Sequence, residues 1–335
     1  MSTLLDWRMR LQALWERSAP PPWWLRLLEQ VYLGLRAAAA WPWQRGWRVP
    51  ARLPVPVVVV GNLRIGGTGK TPLVIELARH LRQRGISVGV VSRGYGRRTR
   101  GIRTVDRHSR PSEVGDEPLL MAAHGIPVVV GEDRAVAALR LHDLVGVELI
   151  LADDGLEHHG LSRQLEIVVR DGERGEGNGH CLPAGPLRAP PSRAAACALK
   201  VQNGGTPMAG WHSMQLRSTG LRRLRDGEHQ YLPDWRGRQV HALAGIGHPA
   251  RFFASLAGLG LKVQPHPLPD HYDFASWPSL LPREWPVVVT TKDAIKLDAS
   301  TIPQEVYVLE VSAELPAAFW QAFDQAIDGL LQVRP

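Results

Sequence analysis

The chain has 335 residues, 44% of them hydrophobic and 21% charged, which is ordinary for a globular protein and ample for a large buried core. Two cysteines, Cys181 and Cys197, exclude a disulfide framework or a cysteine-rich metal site and fit a reducing compartment. The net charge of +8 points to acidic partners, yet the basic residues are spread along the chain without a zinc-finger or basic-zipper pattern, which argues against nucleic acid.

The first fifty residues hold seven tryptophans (Trp7, Trp15, Trp23, Trp24, Trp41, Trp43, Trp47) and seven arginines against three acids. From Trp23 to Ala40 the spacing of Trp24, Leu27, Leu28, Val31 and Leu35 predicts one face of a helix. Arg26, Glu29, Gln30 and Arg36 interrupt it, so it neither spans a bilayer nor reads as a signal peptide. Trp and Leu on one face with Arg nearby predict a helix lying at a membrane surface; a helix docked on the protein's own core is the alternative.

Val55 to Val60, almost pure valine, predicts a buried parallel strand. A glycine loop follows, then a helix from about Pro72 to Arg84 and a strand over Ser87 to Ser92. Strand-like runs recur at Pro127 to Gly131, Val147 to Ala152 and Leu165 to Arg170, with helical stretches between several of them. Gly172 to Pro191 reads as a loop, and Arg217 to Pro233 as a polar, turn-rich hinge. A second series follows: strands at Gln239 to Ala244, Leu261 to Pro265, Pro286 to Thr291 and Glu305 to Val311, and helices at Pro249 to Gly258 and Pro316 to Leu331. The expected architecture is α/β: a P-loop NTPase-like, mostly parallel sheet with helices on both faces, a smaller second α/β lobe and an N-terminal amphipathic helix. The expected divisions are 1–50 for the membrane-surface segment, 51–216 for the nucleotide-binding core, 217–236 for the hinge and 237–335 for the smaller lobe.

The loop Arg64, Ile65, Gly66, Gly67, Thr68, Gly69, Lys70, Thr71 lies between the valine strand and a helix, where backbone N–H groups and the helix N-terminus cradle phosphate. Lys70 is expected to reach the β- and γ-phosphates of a nucleoside triphosphate and Thr71 to ligate Mg²⁺. The strict pattern asks for glycine where this chain has Arg64. Asp153 and Asp154 end an apolar strand, the place where P-loop enzymes hold Mg²⁺; two turn-forming aspartates before Gly155 are the plainer alternative. Asp116 and Glu117 open a helix, and Asp270, His271 and Asp273 follow a proline-rich turn. Each group alone reads as structural, but together they are the best supply of a base for transfer to a hydroxyl. Arg93 follows a strand where arginines can be presented to phosphate, an exposed solvated turn being the plainer alternative, and Lys292 stands at a strand end in the second lobe.

In order along the chain come VGNLRIGGTGKTP at 60–72, SRGYGR at 92–97, GDEP at 115–118, DDGLEHH at 153–159, LPAGPLR at 182–188, DHYDF at 270–274 and TTKDAIKL at 290–297. This series resembles the tetraacyldisaccharide 4′-kinase (lipid A 4′-kinase) family. The resemblance implies transfer of the ATP γ-phosphate to the 4′-hydroxyl of a tetraacylated glucosamine disaccharide 1-phosphate, with Mg²⁺ as cofactor, on the cytoplasmic face of a Gram-negative inner membrane and with no protein partner implied. It implies Asp116 and His271 as the catalytic pair, Lys70 and Thr71 as phosphate and metal contacts, and Asp153 and Asp154 as the acidic pair. Arg93, Tyr95 and His158 are the substrate-side residues it suggests. Two departures stand out: Glu157 replaces a usual glutamine, and Ala189 stands where a glutamate is usual, so any metal held by that glutamate must be held otherwise here. Two competing readings remain, a partner-switching ATPase of the deviant P-loop kind, whose signature lysine is replaced here by Ile65, and a nucleotide-binding membrane adaptor.

Overall fold

Valine-rich strands set the frame. In the computed structural model, which describes residues 11–17, 19–274, 277 and 281–332, the strand β1 (Val57–Gly61) is buried along its whole length. Trp7 of the tryptophan-rich set lies outside the described residues. Parallel neighbours flank β1 on both sides: β5 (Leu149–Asp153), with Val57 opposite Ile150, and β6 (Leu165–Asp171), with Val58 opposite Leu165. Beyond β5 come β2 (Val88–Ser92), β4 (Val128–Val130) and the antiparallel edge β3 (Arg103–Val105). Beyond β6 come β7 (Leu199–Asn203) and β8 (His212–Arg223), both parallel to their neighbour.

The pleat sends alternate residues to opposite faces. Val58 and Val60 enter one apolar cluster with Leu73, Leu77 and Leu81 of the helix α2 (Lys70–Gln83). Val57 and Val59 enter another with Ala138 and Leu141 of α5 (Arg134–Val145). Helices therefore cover both faces, as the alternation of elements predicts. Between them in the chain lie α3 (Pro111–Val114) and α4 (Asp116–Ala123).

The second series extends the same sheet. Strands β10 (Gln239–Ala244), β11 (Lys262–Pro267), β12 (Val287–Thr290) and β13 (Val306–Glu314) run parallel, and β13 joins β8 antiparallel, with Leu309 opposite Leu221. The described residues form one sheet of 13 strands, with β9 (His229–Gln230) paired to β8 off the main path. Here the reading of Arg217 to Pro233 as turn-rich is corrected, since Arg217 to Arg223 lie within β8. Few apolar residues mark that stretch; instead β13 supplies the pairing, and Arg222–Glu310 and Arg217–Glu314 pair across the strands at 2.7 Å each. Of the remaining helices, α6 (Pro249–Gly258) and α7 (Thr291–Ala294) belong to the second series, while α8 (Ala317–Gln332) returns to the first. Its Phe319, Phe323 and Ile327 are fully buried in the cluster around Leu73, Leu77 and Leu81.

The N-terminal helix α1 (Trp23–Gln44) inverts the usual arrangement. Its predicted apolar face is the exposed one: Trp24, Leu27, Leu28, Val31 and Leu35 all meet solvent, as do Trp23 and Trp41. Toward the protein it turns Leu25, Ala40 and the carboxylate of Glu29, which accepts from the backbone N–H of Cys181 and pairs with His180. Docking on its own core is thus not how this apolar stripe is satisfied. No helix among the described residues is long and apolar enough to cross a membrane.

Candidate active site

The phosphate loop sits at the C-terminal end of β1. Gly66 and Gly69 adopt φ of 95° and 94°, backbone that side chains rarely tolerate. A Cβ on Gly69 would stand 2.4 Å from the Asn203 amide nitrogen, which donates to the Thr68 carbonyl at 3.1 Å. Lys70 opens α2, donates to Asn62 Oδ1 at 3.0 Å and lies 3.7 Å from Asp154. Thr71 is buried behind it. Arg64, the departure from the strict pattern, is buried and its guanidinium is taken up by Glu16 and by the carbonyls of Arg174 and Gly175. Ile65 donates its N–H to Pro186 at 2.9 Å, fastening the loop's leading edge to the proline–glycine segment.

At the end of β5 two adjacent carboxylates have opposite fates. Burial, reinforced by the charge of Glu117, pushes Asp153 up to about 7. Its Oδ2 accepts from Ser92 Oγ at 3.2 Å, while Oδ1 is buried with no hydrogen-bond partner among the described residues. Burial also opposes ionisation of Asp154, but Lys70 and a two-bond fork from Arg188, 2.8 Å to each oxygen, hold it well below the usual carboxylate range. Arg134 donates to the carbonyls of Asp153 and Asp154 at 3.4 and 2.9 Å, fixing the turn.

Across the cleft, Asp116 at the start of α4 meets His271, with 2.9 Å between Oδ2 and Nδ1. Lys296 adds a second contact to the same oxygen at 3.1 Å. Burial raises the Asp116 pKa, and the His271 bond and Lys296 outweigh it, so the carboxyl stays below its ordinary value. Glu117 is likewise held ionised against burial by Lys292, at 3.3 Å, and by Lys70. Lys292 also stands 3.5 Å from His271 Nε2. Asp293, wholly buried, ties this segment down by accepting from Thr290 at 2.8 Å and from the Gly245 N–H at 3.0 Å. Asp116 and His271 are 155 residues apart in sequence, so the pair exists only when both series of elements are assembled. From the second series Gly247 reaches the phosphate loop, where an added Cβ would be 2.8 Å from the Gly67 nitrogen and 3.4 Å from Asp270 Oδ2.

The structure thus brings Lys70, Asp153, Asp154, Asp116 and His271 into one cleft, linked by Glu117 and Lys292. Tyr95 joins them, its ring centroid 5.2 Å from that of His271 and its surface largely exposed. Arg93 is exposed beside Arg134. His158 is set apart: its charged neighbours are Arg134, Asp133, Arg163 and His159, and none belongs to the Asp116–His271 pair. Ala189 is fully buried among apolar side chains, and Glu157 is paired with Arg36 of α1. Sequence reasoning gave no role to Asn62, Arg188 and Lys296, although each stands inside a quoted motif. Arg134, Asn203 and Gly247 carry no such signal, because their part comes from chain crossings that only the sheet order creates.

Burial, followed by the charge of Arg134, lowers the His158 pKa to about 4. A histidine near its ordinary value of about 6.5 when unfolded then binds more protons unfolded than folded between roughly pH 4 and 6.5, so stability rises with pH across that window. Thermal unfolding is expected to show His158→Gln losing less stability than the parent between pH 7 and pH 5, by roughly 1 kcal/mol after solvent screening. Parallel losses in the two proteins would refute it.

Residues 21–328 match the sequence model of the family described as tetraacyldisaccharide-1-P 4′-kinase. A protein of Alkalilimnicola ehrlichii named tetraacyldisaccharide 4′-kinase is 48% identical over 309 residues, covering 90% of this chain and 92% of its own. One of Chromobacterium violaceum with the same name is 48% identical over 285 residues, covering 81% and 82%. Among solved structures, the crystal structure of LpxK from Aquifex aeolicus in complex with ATP superimposes with a TM-score of 0.77 at 28% identity, over 92% of this chain and 98% of that one.

Proposed function

The chain belongs to the tetraacyldisaccharide-1-P 4′-kinase family, and on that premise we propose that it transfers the γ-phosphate of ATP to the 4′-hydroxyl of a tetraacylated glucosamine disaccharide 1-phosphate. The observation that carries this reading is the meeting of a phosphate loop and a carboxylate–imidazole pair across one cleft. Lys70 and the backbone N–H groups of Gly66 to Thr71 bind and orient the phosphates. Asp116 receives the proton of the acceptor hydroxyl, and His271 and Lys296 both engage its Oδ2. His271 is oriented by that bond beside the oxygen that attacks, and Lys292 supplies positive charge there. Glu117 pairs with Lys292 at 3.3 Å, and its charge offsets part of that of Lys70 as well.

Mg²⁺ would be held by Thr71 with Asp153 and Asp154, and when bound it neutralises charge on the β- and γ-phosphates. The fit rests on Asp153 Oδ1, a buried oxygen lacking a partner that a cation would satisfy. With Ala189 buried and Glu157 paired with Arg36, these two aspartates are the acids at the end of β5 that stand beside the phosphate-loop lysine. Arg93 and Tyr95 line the acceptor side; His158 supports the wall behind Arg134 or meets a more distant part of the lipid.

The exposed stripe of α1 seats the enzyme on the cytoplasmic surface of the inner membrane, where a four-chain lipid resides and ATP is available. Arg26, Arg45 and Arg48 add attraction to anionic headgroups. Incubation with radiolabelled ATP and the lipid disaccharide acceptor, followed by lipid extraction, is expected to move label into the organic phase. Label appearing only as free phosphate, equally with and without acceptor, would refute the kinase reading. Replacing Leu27 and Leu35 by serine should lower the yield on acceptor embedded in vesicles and spare it on detergent-dispersed acceptor; equal yields in both formats would refute the membrane seat.

A further inference from the structure

The inward side of α1 is polar, and its contacts lead straight to the nucleotide cleft. Tyr32 donates to the Arg188 carbonyl at 2.9 Å, and Arg36 donates to the same oxygen. The other arm of Arg36 pairs with Glu157, three residues past Asp154. Arg188 in turn spans the cleft floor, forking onto Asp154 at 2.8 Å to each oxygen and donating to Asn62 Oδ1. That Asn62 oxygen also accepts from Lys70 at 3.0 Å. One continuous series of hydrogen bonds therefore runs from the helix to the phosphate-loop lysine.

We propose that Tyr32 and Arg36 are positioning residues for the nucleotide site, acting through Arg188. The inference rests on the reading of the Lys70 cleft as the ATP site. An arginine that must hold Asp154 and Asn62 at once needs its backbone fixed, because the guanidinium's reach is set from its Cα. The Arg188 N–H donates to the Leu63 carbonyl at 2.6 Å, the two donors converging on its own carbonyl oxygen hold the other side of that backbone, and the pair with Glu157 clamps the turn after Asp154. With the anchor lost, Arg188 is free to leave Asp154 and Asn62, and Lys70 then moves toward the freed carboxylate and away from the phosphates. The consequence falls on ATP binding and not on the acceptor pair, since neither Asp116 nor His271 touches this series.

The test uses the full chain, detergent-dispersed acceptor and a fluorescent ATP analogue. Tyr32→Phe and Arg36→Ala are each expected to raise KM for ATP and the analogue's Kd about 3- to 10-fold, with KM for the acceptor and co-sedimentation with phosphatidylcholine vesicles unchanged. Tyr32→Phe removes one hydroxyl and keeps the ring, so it isolates the bond from the packing of the helix. In an Arg188→Ala background, adding Arg36→Ala should change nucleotide affinity less than about 2-fold, because the side chain through which it acts is already gone. Unchanged nucleotide affinity in both single variants overturns the proposal, as does an undiminished effect of Arg36→Ala in the Arg188→Ala background. Wild-type protein that binds no analogue would overturn the reading of the ATP site along with it, whereas normal wild-type binding with unaffected variants overturns this inference alone.

Discussion

Replacing Asp116 by asparagine is expected to lower kcat by about 10²- to 10⁴-fold while leaving the affinity for ATP within about 2-fold. The substitution keeps the shape of the side chain but removes the charge that accepts the hydroxyl proton and holds His271 at 2.9 Å. Lys296 keeps its second partner, Asp293 at 3.3 Å, so the buried ammonium is not left alone and the fold survives. Because Asp116 and His271 act as one unit, adding His271→Ala to Asp116→Asn should cost far less than the product of the separate losses. Single-turnover measurements with labelled ATP, beside nucleotide titrations, decide the matter. Turnover within about 3-fold of the parent would remove Asp116 from the chemistry.

Gly247→Ala is expected to lower kcat/KM for ATP by about 10²-fold. The loop after β10 passes so close to the phosphate loop that an added methyl would lie 2.8 Å from the Gly67 nitrogen, well inside contact distance. One of the two loops must retreat, and either retreat harms transfer: a shifted phosphate loop loses its N–H cradle, while a shifted loop after β10 pulls on His271, whose N–H donates to the Gly245 carbonyl at 3.2 Å, and so disturbs its contact with Asp116. Catalytic groups displaced by about 1 Å lose rate on this scale. Thermal stability should change little, because the position is not enclosed in an apolar cluster. A variant with parental kcat/KM would show that the two loops have more freedom than their contact implies.

Most of the nucleotide half was legible in the chain. Runs such as Val57–Val60 and Leu149–Ala152 are apolar at every position because both faces of a parallel strand are covered, and that pattern is hard to mistake. Lys70, Asp153 and Asp154 were legible for the same reason, since each is tied to the end of such a strand or the start of the next helix. Strand β8 was missed, as were β3 and β7. Their apolar content is low, and their stability comes from partners distant in sequence, such as β13 for β8, which no local pattern reveals. The Asp116–His271 contact has the same character. Resemblance named both residues, but the bond itself arises only because the second series continues the first sheet. Arg64 was legible as an oddity and explained only by the structure, where Glu16 and the carbonyls of Arg174 and Gly175 occupy its guanidinium. Of the apolar stripe on α1, periodicity revealed the helix and left its direction open; burial of Glu29 and exposure of Leu27 and Leu35 decide it.

The position of α8 bears on how the protein comes into being. This last helix lays Phe319, Phe323 and Ile327 into the cluster formed by Leu73, Leu77 and Leu81, stacks Trp320 on His80 at 4.2 Å between ring centroids, and sets Asp324 against both His80 and Arg84 at 2.8 Å. Helix α2, which carries the phosphate-loop lysine at its first position, is therefore sheltered by a helix whose Asp324 lies 244 residues beyond His80 in the chain. A chain still being synthesised carries the nucleotide loop on a helix with this apolar side uncovered until α8 is made, after the segment that bears Lys292 and Lys296. The lysines that close the cleft and the helix that covers α2 thus both come well after the phosphate loop itself in the order of synthesis.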